Sequence, residues 1–145
     1  MSLYIVDASV AVKWFLPARD EPFALQARQL LQGWTEESHR LLVPDLFFAE
    51  VANALWRAVR TGRCLLPEAE FSLGRLEAAS IPAVPSIEIF KDAFTIAVRH
   101  DRTLYDSLYV ALAASSEAQL ITADEKLVNA LASHYPIRWL GTLRH

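Results

Sequence analysis

The sequence predicts an α/β domain: a parallel sheet of about five short strands, covered on both faces by helices. Two observations carry that expectation. Short apolar runs alternate along the chain with longer stretches of helical periodicity. The chain shows no internal repeat, low-complexity tract or Ser/Gly linker and has only 4 glycines in 145 residues, which fits one domain over 1–145. A composition 53% hydrophobic and 21% charged excludes disorder.

The run "LYIV" at 3–6 reads as a buried strand, and "ASVAVKWF" at 8–15 as the helix after it. Residues 21–37 read as a helix with Leu25, Leu30, Leu31 and Trp34 at its apolar positions. "RLLVP" at 40–44 is a second strand, stopped by its proline. "DLFFAEVANALWRAVRTG" follows as an amphipathic helix with Asp45 at its N-cap and Gly62 as its stop. Pro67 sits in the first turn of another helix running to 79. "IPAVP" is a short third strand, pushed to a sheet edge by its prolines. Helices are expected at 87–99 and 105–116, a strand in "AQLITAD" at 118–124, a helix at 125–133 and a last strand, "IRWL", at 137–140. Strands separated by helices imply right-handed crossovers and a parallel sheet. Sites in such sheets lie beyond the carboxyl ends of the strands.

The net charge of −3 argues against a protein held to nucleic acid by bulk electrostatics alone, while leaving room for a local basic rim or a metal that recruits phosphates. One cysteine, Cys64, excludes an internal disulfide; no Cys/His zinc spacing is present, and a reducing, cytoplasmic location is expected. The start of the chain lacks a basic region and is interrupted by Asp7, so no secretory signal is expected. No run of ~18 apolar residues offers a membrane span. The hydrophobic fraction is high for this length, which points to an apolar surface given over to a partner or a second copy.

Four acids hold the chemistry. Asp7 and Asp124 sit at the carboxyl ends of predicted strands, Glu50 lies inside the helix after the second strand, and Asp106 lies in the first turn of a later helix. Each has a local explanation: Asp7 capping the helix that starts at Ala8, Thr103 with Asp106 and Thr122 with Glu125 as capping boxes, Glu50 pairing with Arg57 on a wet face. Glu50 borders the apolar stripe of Phe47, Val51 and Leu55, backed by Asn53 and Ala54. The joint reading is sharper. If the two strand ends are neighbours and the two helices start on the same side, four carboxylates meet in one notch. Like charges so close need compensation. Oxygen-only ligands select a hard divalent ion, Mg²⁺ or Mn²⁺, and such ions act on phosphates.

The blocks "IVDASVAVKWF", "PDLFFAEVANAL", "TLYDSLYVALA" and "LITAD", in that order over residues 5–124, resemble the PIN domains and, among them, the VapC-type toxins of bacterial toxin–antitoxin pairs. The resemblance implies a three-layer α/β/α sandwich and a Mg²⁺-dependent endoribonuclease, with Mn²⁺ as a substitute ion. It places the family's acidic positions on Asp7, Glu50, Asp106 and Asp124, its small hydroxyl on Ser9, its helix amide on Asn53 and the hydroxyl before the last acid on Thr122. It also implies an RNA substrate, a VapB-type antitoxin and a homodimer. In this reading Ser9, Thr122 and Asn53 orient the carboxylates or a water. Lys13, Arg57, Arg99, Arg102 and Lys126 are candidates for the RNA backbone, and Tyr105 for stacking on a base. Tyr109 is read as core, Trp14, Phe15 and Trp56 as core or interface.

Three alternatives stand beside it. An aspartyl-nucleophile phosphatase wants a second aspartate two residues after the first, where this chain has Ser9; a phosphoryl-receiver module wants an acid ending the third strand, and "IPAVPS" has none. A PIN-fold binding protein without catalysis is the third.

Overall fold

In the computed structural model, which describes residues 1–143, the apolar runs become five parallel strands: β1 (Leu3–Val6), β2 (Arg40–Pro44), β3 (Ala83–Val84), β4 (Gln119–Thr122) and β5 (Ile137–Trp139). The predicted domain's last two positions, 144 and 145, lie outside the described residues. Ile5, Val6, Leu120 and Ile121 are fully buried, as expected for central strands covered on both faces. Each such side chain contributes roughly 1.5–3 kcal/mol by leaving water.

The strand order is β3-β2-β1-β4-β5. From β1 the chain builds outward through β2 to β3, then returns to place β4 on the other side of β1. The order reverses between β1 and β4, whose register pairs Val6 with Ile121. At such a reversal the connections leave in opposite directions and open a crevice at the carboxyl ends of the two strands. Asp7 and Asp124 follow those two strands. The proline-flanked β3 is the two-residue edge strand its sequence predicts.

Seven α-helices flank the sheet in an α/β/α sandwich: α1 (Ala8–Ala11), α2 (Ala24–Thr35), α3 (Leu46–Arg60), α4 (Leu66–Ala78), α5 (Phe90–His100), α6 (Leu104–Ser115) and α7 (Glu125–Leu131). On α3 the buried residues are Phe47, Val51, Leu55 and Ala58, one apolar stripe at helical spacing. On α6 every residue from Ser107 to Ala113 is buried, because this helix packs on β1, β2 and β4 and is covered by α5. No helix among the described residues is long and apolar enough to cross a membrane.

Three local expectations are corrected. The helix expected over 8–15 is one α-turn followed by a 3₁₀ turn, Val12–Trp14. This carries the buried Trp14 indole to where its Nε1 donates to the Ala27 carbonyl at 2.7 Å. Asp45 precedes α3 without capping it; its Oδ1 accepts from Ser86 Oγ at 2.5 Å. Thr122 and Glu125 form no capping box, because Asp124 is itself the N-cap of α7.

Candidate active site

Asp7 is 9% exposed. Its Oδ1 accepts from Ser9 Oγ at 2.5 Å and from the Val10 backbone N–H at 3.4 Å, and its Oδ2 accepts from Thr122 Oγ1 at 2.5 Å. Both hydroxyls are used twice: Ser9 Oγ accepts from the Ala123 N–H at 3.0 Å and Thr122 Oγ1 from the Asp124 N–H at 3.1 Å. A hydroxyl that accepts from an amide has its proton left to give, so both are polarised toward Asp7. The closed network ties the end of β1 to the end of β4. Burial pushes the Asp7 carboxyl from the usual 3.8 up to about 6; the bonds from Ser9, Thr122 and Val10 oppose that rise, and the charge of Glu50 adds to it.

Glu50, half-buried on α3, does not pair with Arg57. Its Oε1 accepts from the Tyr109 hydroxyl at 2.6 Å. Tyr109 is buried and was expected only as core; it is core with its one polar atom on Glu50. The sequence shows only that Tyr109 follows Asp106 by three residues on one face of α6; its bond to Glu50, on another helix, leaves no local signal. Asn53 makes no hydrogen bond to Glu50 and lines the hollow beside it.

Asp106 begins α6, where its backbone N–H donates to Thr103 Oγ1 at 3.0 Å, and Arg102 Nη2 approaches its Oδ2 at 3.5 Å. Burial pushes its carboxyl above the usual range; Arg102 opposes this and the charge of Asp124 adds to it. Asp124 caps α7, its Oδ1 accepting from the Lys126 and Leu127 N–H groups at 3.0 and 3.4 Å. Capping and site membership therefore coexist. Among the described residues, Glu50 Oε2, Asp106 Oδ1 and Asp124 Oδ2 accept from no protein donor.

The acids reach the same end of the sheet in two electrostatic couples, Asp7 with Glu50 and Asp106 with Asp124. Among the described residues no three acidic, histidine or cysteine side chains are close enough to hold one ion as they stand. The single notch read from the sequence is thus not closed around one point, and each carboxylate is held by protein donors. In kind and charge the donor set fits a hard divalent ion: it is all oxygen, and among the described residues Arg102 is the only basic side chain paired with any of the four.

The basic candidates separate. Lys13 is corrected: it is buried, with Nζ 3.4 Å from Glu21 Oε1, and Glu21 also pairs with Arg63, so Lys13 is tied into the scaffold and unavailable to a phosphate. Arg57 and Tyr105 line the hollow beside Glu50. Arg102 is engaged by Asp106, and its buried Nε has no hydrogen-bond partner among the described residues. Lys126 is exposed in the first turn of α7, next to Asp124, and Arg99 is exposed in the last turn of α5. Trp14 is core; Trp56 is exposed, with the Arg60 guanidinium 4.8 Å from its ring centre.

A parallel sheet with acidic side chains at the ends of the strands where its order reverses defines an α/β class with an acidic crevice, and comparison narrows it. Residues 4–131 match the PIN domain model, and the chain belongs to that family. It is 38% identical over 125 residues to Ribonuclease VapC3 of Pyrobaculum aerophilum, covering 85% of this chain and 90% of that protein. It is 29% identical over 126 residues to a protein of the same organism named Exonuclease VapC9, covering 86% and 83%. The crystal structure of PAE2754 from P. aerophilum superposes with a TM-score of 0.69 at 27% identity, covering 97% and 91%. VapBC2 from Rickettsia felis, solved bound to a DNA fragment from its promoter, superposes with a TM-score of 0.60 at 11% identity, covering 94% and 98%, and so shares the fold.

Proposed function

We propose that this protein is a Mg²⁺-dependent endoribonuclease, able to use Mn²⁺, and the toxin of a VapBC-type pair acting in the cytoplasm. The observation that carries the reading is the carboxylate cluster at the β1/β4 reversal, with Asp7 held by two hydroxyls across the strand ends. Relatives named as VapC ribonucleases support the substrate class.

Asp7, Asp106 and Asp124 would hold the ion, with Glu50 beside them. When bound, it would acidify the attacking water and offset charge on the phosphate. The protein's own part is positional. Ser9 and Thr122 keep Asp7 an acceptor, Tyr109 occupies one oxygen of Glu50 and leaves Oε2 to take a proton, and Arg102 holds Asp106. Tyr109→Phe is accordingly expected to lower kcat about tenfold with little change in KM, and to destabilise the fold by about 1–2 kcal/mol in urea unfolding, since a buried bond to a carboxylate is lost.

Relatives bear both ribonuclease and exonuclease names, so the test uses covalently closed circular RNA. An endonuclease linearises it; an exonuclease leaves it intact. Linear product formed by the parent and absent with Asp7→Asn is the expected result.

Two partners belong to the proposal. Solved VapBC toxin–antitoxin neighbours support a VapB-type antitoxin. Ile87, Phe90, Phe94 and Val98 form an exposed apolar stripe along α5 and the turn before it, which supports a homodimer; light scattering should give twice the chain mass, and Phe94→Lys should give the monomer. A second reading, a PIN-fold binding protein without turnover, draws on the lack of three converging ligands among the described residues. The circular-RNA assay separates it too.

A further inference from the structure

We propose that the hollow beside Glu50 is a nucleobase subsite, which takes the unpaired base of the nucleotide adjoining the scissile phosphate. The inference rests on the ribonuclease reading and deepens it. The hollow has a volume of about 460 Å³, within the usual range for small-molecule sites. Its lining is largely apolar, with Val12, Leu46 and Ala54 among its side chains, and it includes Glu50 and Ser9. Since Ser9 donates to Asp7, whatever fills the hollow lies directly against the proposed cleavage centre.

Three lining groups have no structural work. The Tyr105 ring is 58% exposed, one residue from Asp106. The exposed Asn53 amide makes no side-chain hydrogen bond among the described residues, and the exposed Arg57 makes no ion pair. An aromatic face stacks on a base, a primary amide offers a donor and an acceptor to a base edge, and a guanidinium meets the neighbouring phosphate. A largely apolar lining suits the face of a base and would be a poor seat for a phosphate. The occupant must be unpaired, because an A-form helix hides the base faces within the stack. A similar hollow lined by Tyr4, Gln29, Gln32 and His39 also offers aromatic and amide groups, but it has no guanidinium and adjoins none of the four acids.

The test uses single-stranded RNA of randomised sequence, cut in Mg²⁺, with the cut ends sequenced. The parent should show a base preference at one nucleotide flanking the cut. Asn53→Ala and Tyr105→Ala should flatten that preference and raise KM about tenfold. Arg19→Ala, at an exposed side chain that does not line the hollow, should change neither. A second readout needs no turnover: a single-stranded RNA decamer carrying 2-aminopurine at each position in turn is bound to Asp7→Asn. Quenching at one position, lost on adding Tyr105→Ala, is expected. Unaltered preference and quenching in both hollow variants would overturn the subsite, as would variants that lose only antitoxin binding. If Asp7→Asn cuts as fast as the parent, the ribonuclease reading itself fails, whatever the hollow variants do.

Discussion

Replacing Asp7 by asparagine is expected to lower RNA cleavage by about a hundredfold or more and, in chelator, to reverse the stability order of variant and parent between pH 4 and pH 7.5. Both effects come from one placement. Asp7 is almost fully buried and, among the described residues, has no cationic partner, only the Ser9 and Thr122 hydroxyls and one backbone N–H. Its folded-state pKa of about 6 lies above the usual 3.8, so the folded protein binds this proton more tightly than the unfolded chain does. Stability from that proton is fully present below pH 3.8 and is lost as pH rises through about 6, a difference of roughly 3 kcal/mol. Asparagine keeps the shape and removes the charge, at a cost of about 1 kcal/mol because its amide cannot accept from both hydroxyls. The variant should therefore be the less stable at pH 4 and the more stable, by about 1–2 kcal/mol, at pH 7.5. Urea unfolding followed by tryptophan fluorescence at the two pH values reads the crossing. Parallel pH profiles would place the Asp7 carboxylate in a wetter setting than the structure does.

Removal of divalent ions should have a still larger effect on turnover. Four carboxylates with one paired arginine among the described residues leave the crevice net negative, so a cation is the direct means of offsetting charge on a phosphate undergoing cleavage. EDTA should take cleavage to background, and Mg²⁺ or Mn²⁺ in excess should restore it. Ca²⁺ should restore little, since it prefers more ligands at longer distance than these acids supply. The same ions should raise the urea midpoint of the parent at pH 7.5, by mass action on the folded state. Cleavage that persists in chelator would remove the metal from the proposal.

Much of the scaffold was legible because local rules coincided with the tertiary outcome. The strand at 3–6 is an apolar run ended by Asp7, that at 40–44 an apolar run between Arg40 and Pro44, and their limits match. The edge position of β3 follows from its flanking prolines. Neighbouring of β1 and β4 could be posed only as a condition, since pairing across more than a hundred residues leaves no local trace; the sheet order supplies it. The errors share a cause. Asp45 looks like a cap because Ser86, its actual donor, is distant in sequence, and Lys13 looks solvated because Glu21, which buries it, lies on the next turn of chain. Composition and spacing drew attention to the four acids, and the family resemblance assigned them jointly. Their grouping into two couples, and the Tyr109 bond that holds Glu50, depend on side-chain directions that no spacing encodes.

Calorimetric titration of Mn²⁺ into the parent and into Asp7→Asn, without RNA, probes the charge balance of the crevice independently of turnover. A saturable isotherm for the parent, weakened at least about tenfold in the variant, is the predicted pair of curves. Superimposable curves, or no heat from either protein, would mean that the crevice between β1 and β4 does not recruit a cation through this aspartate.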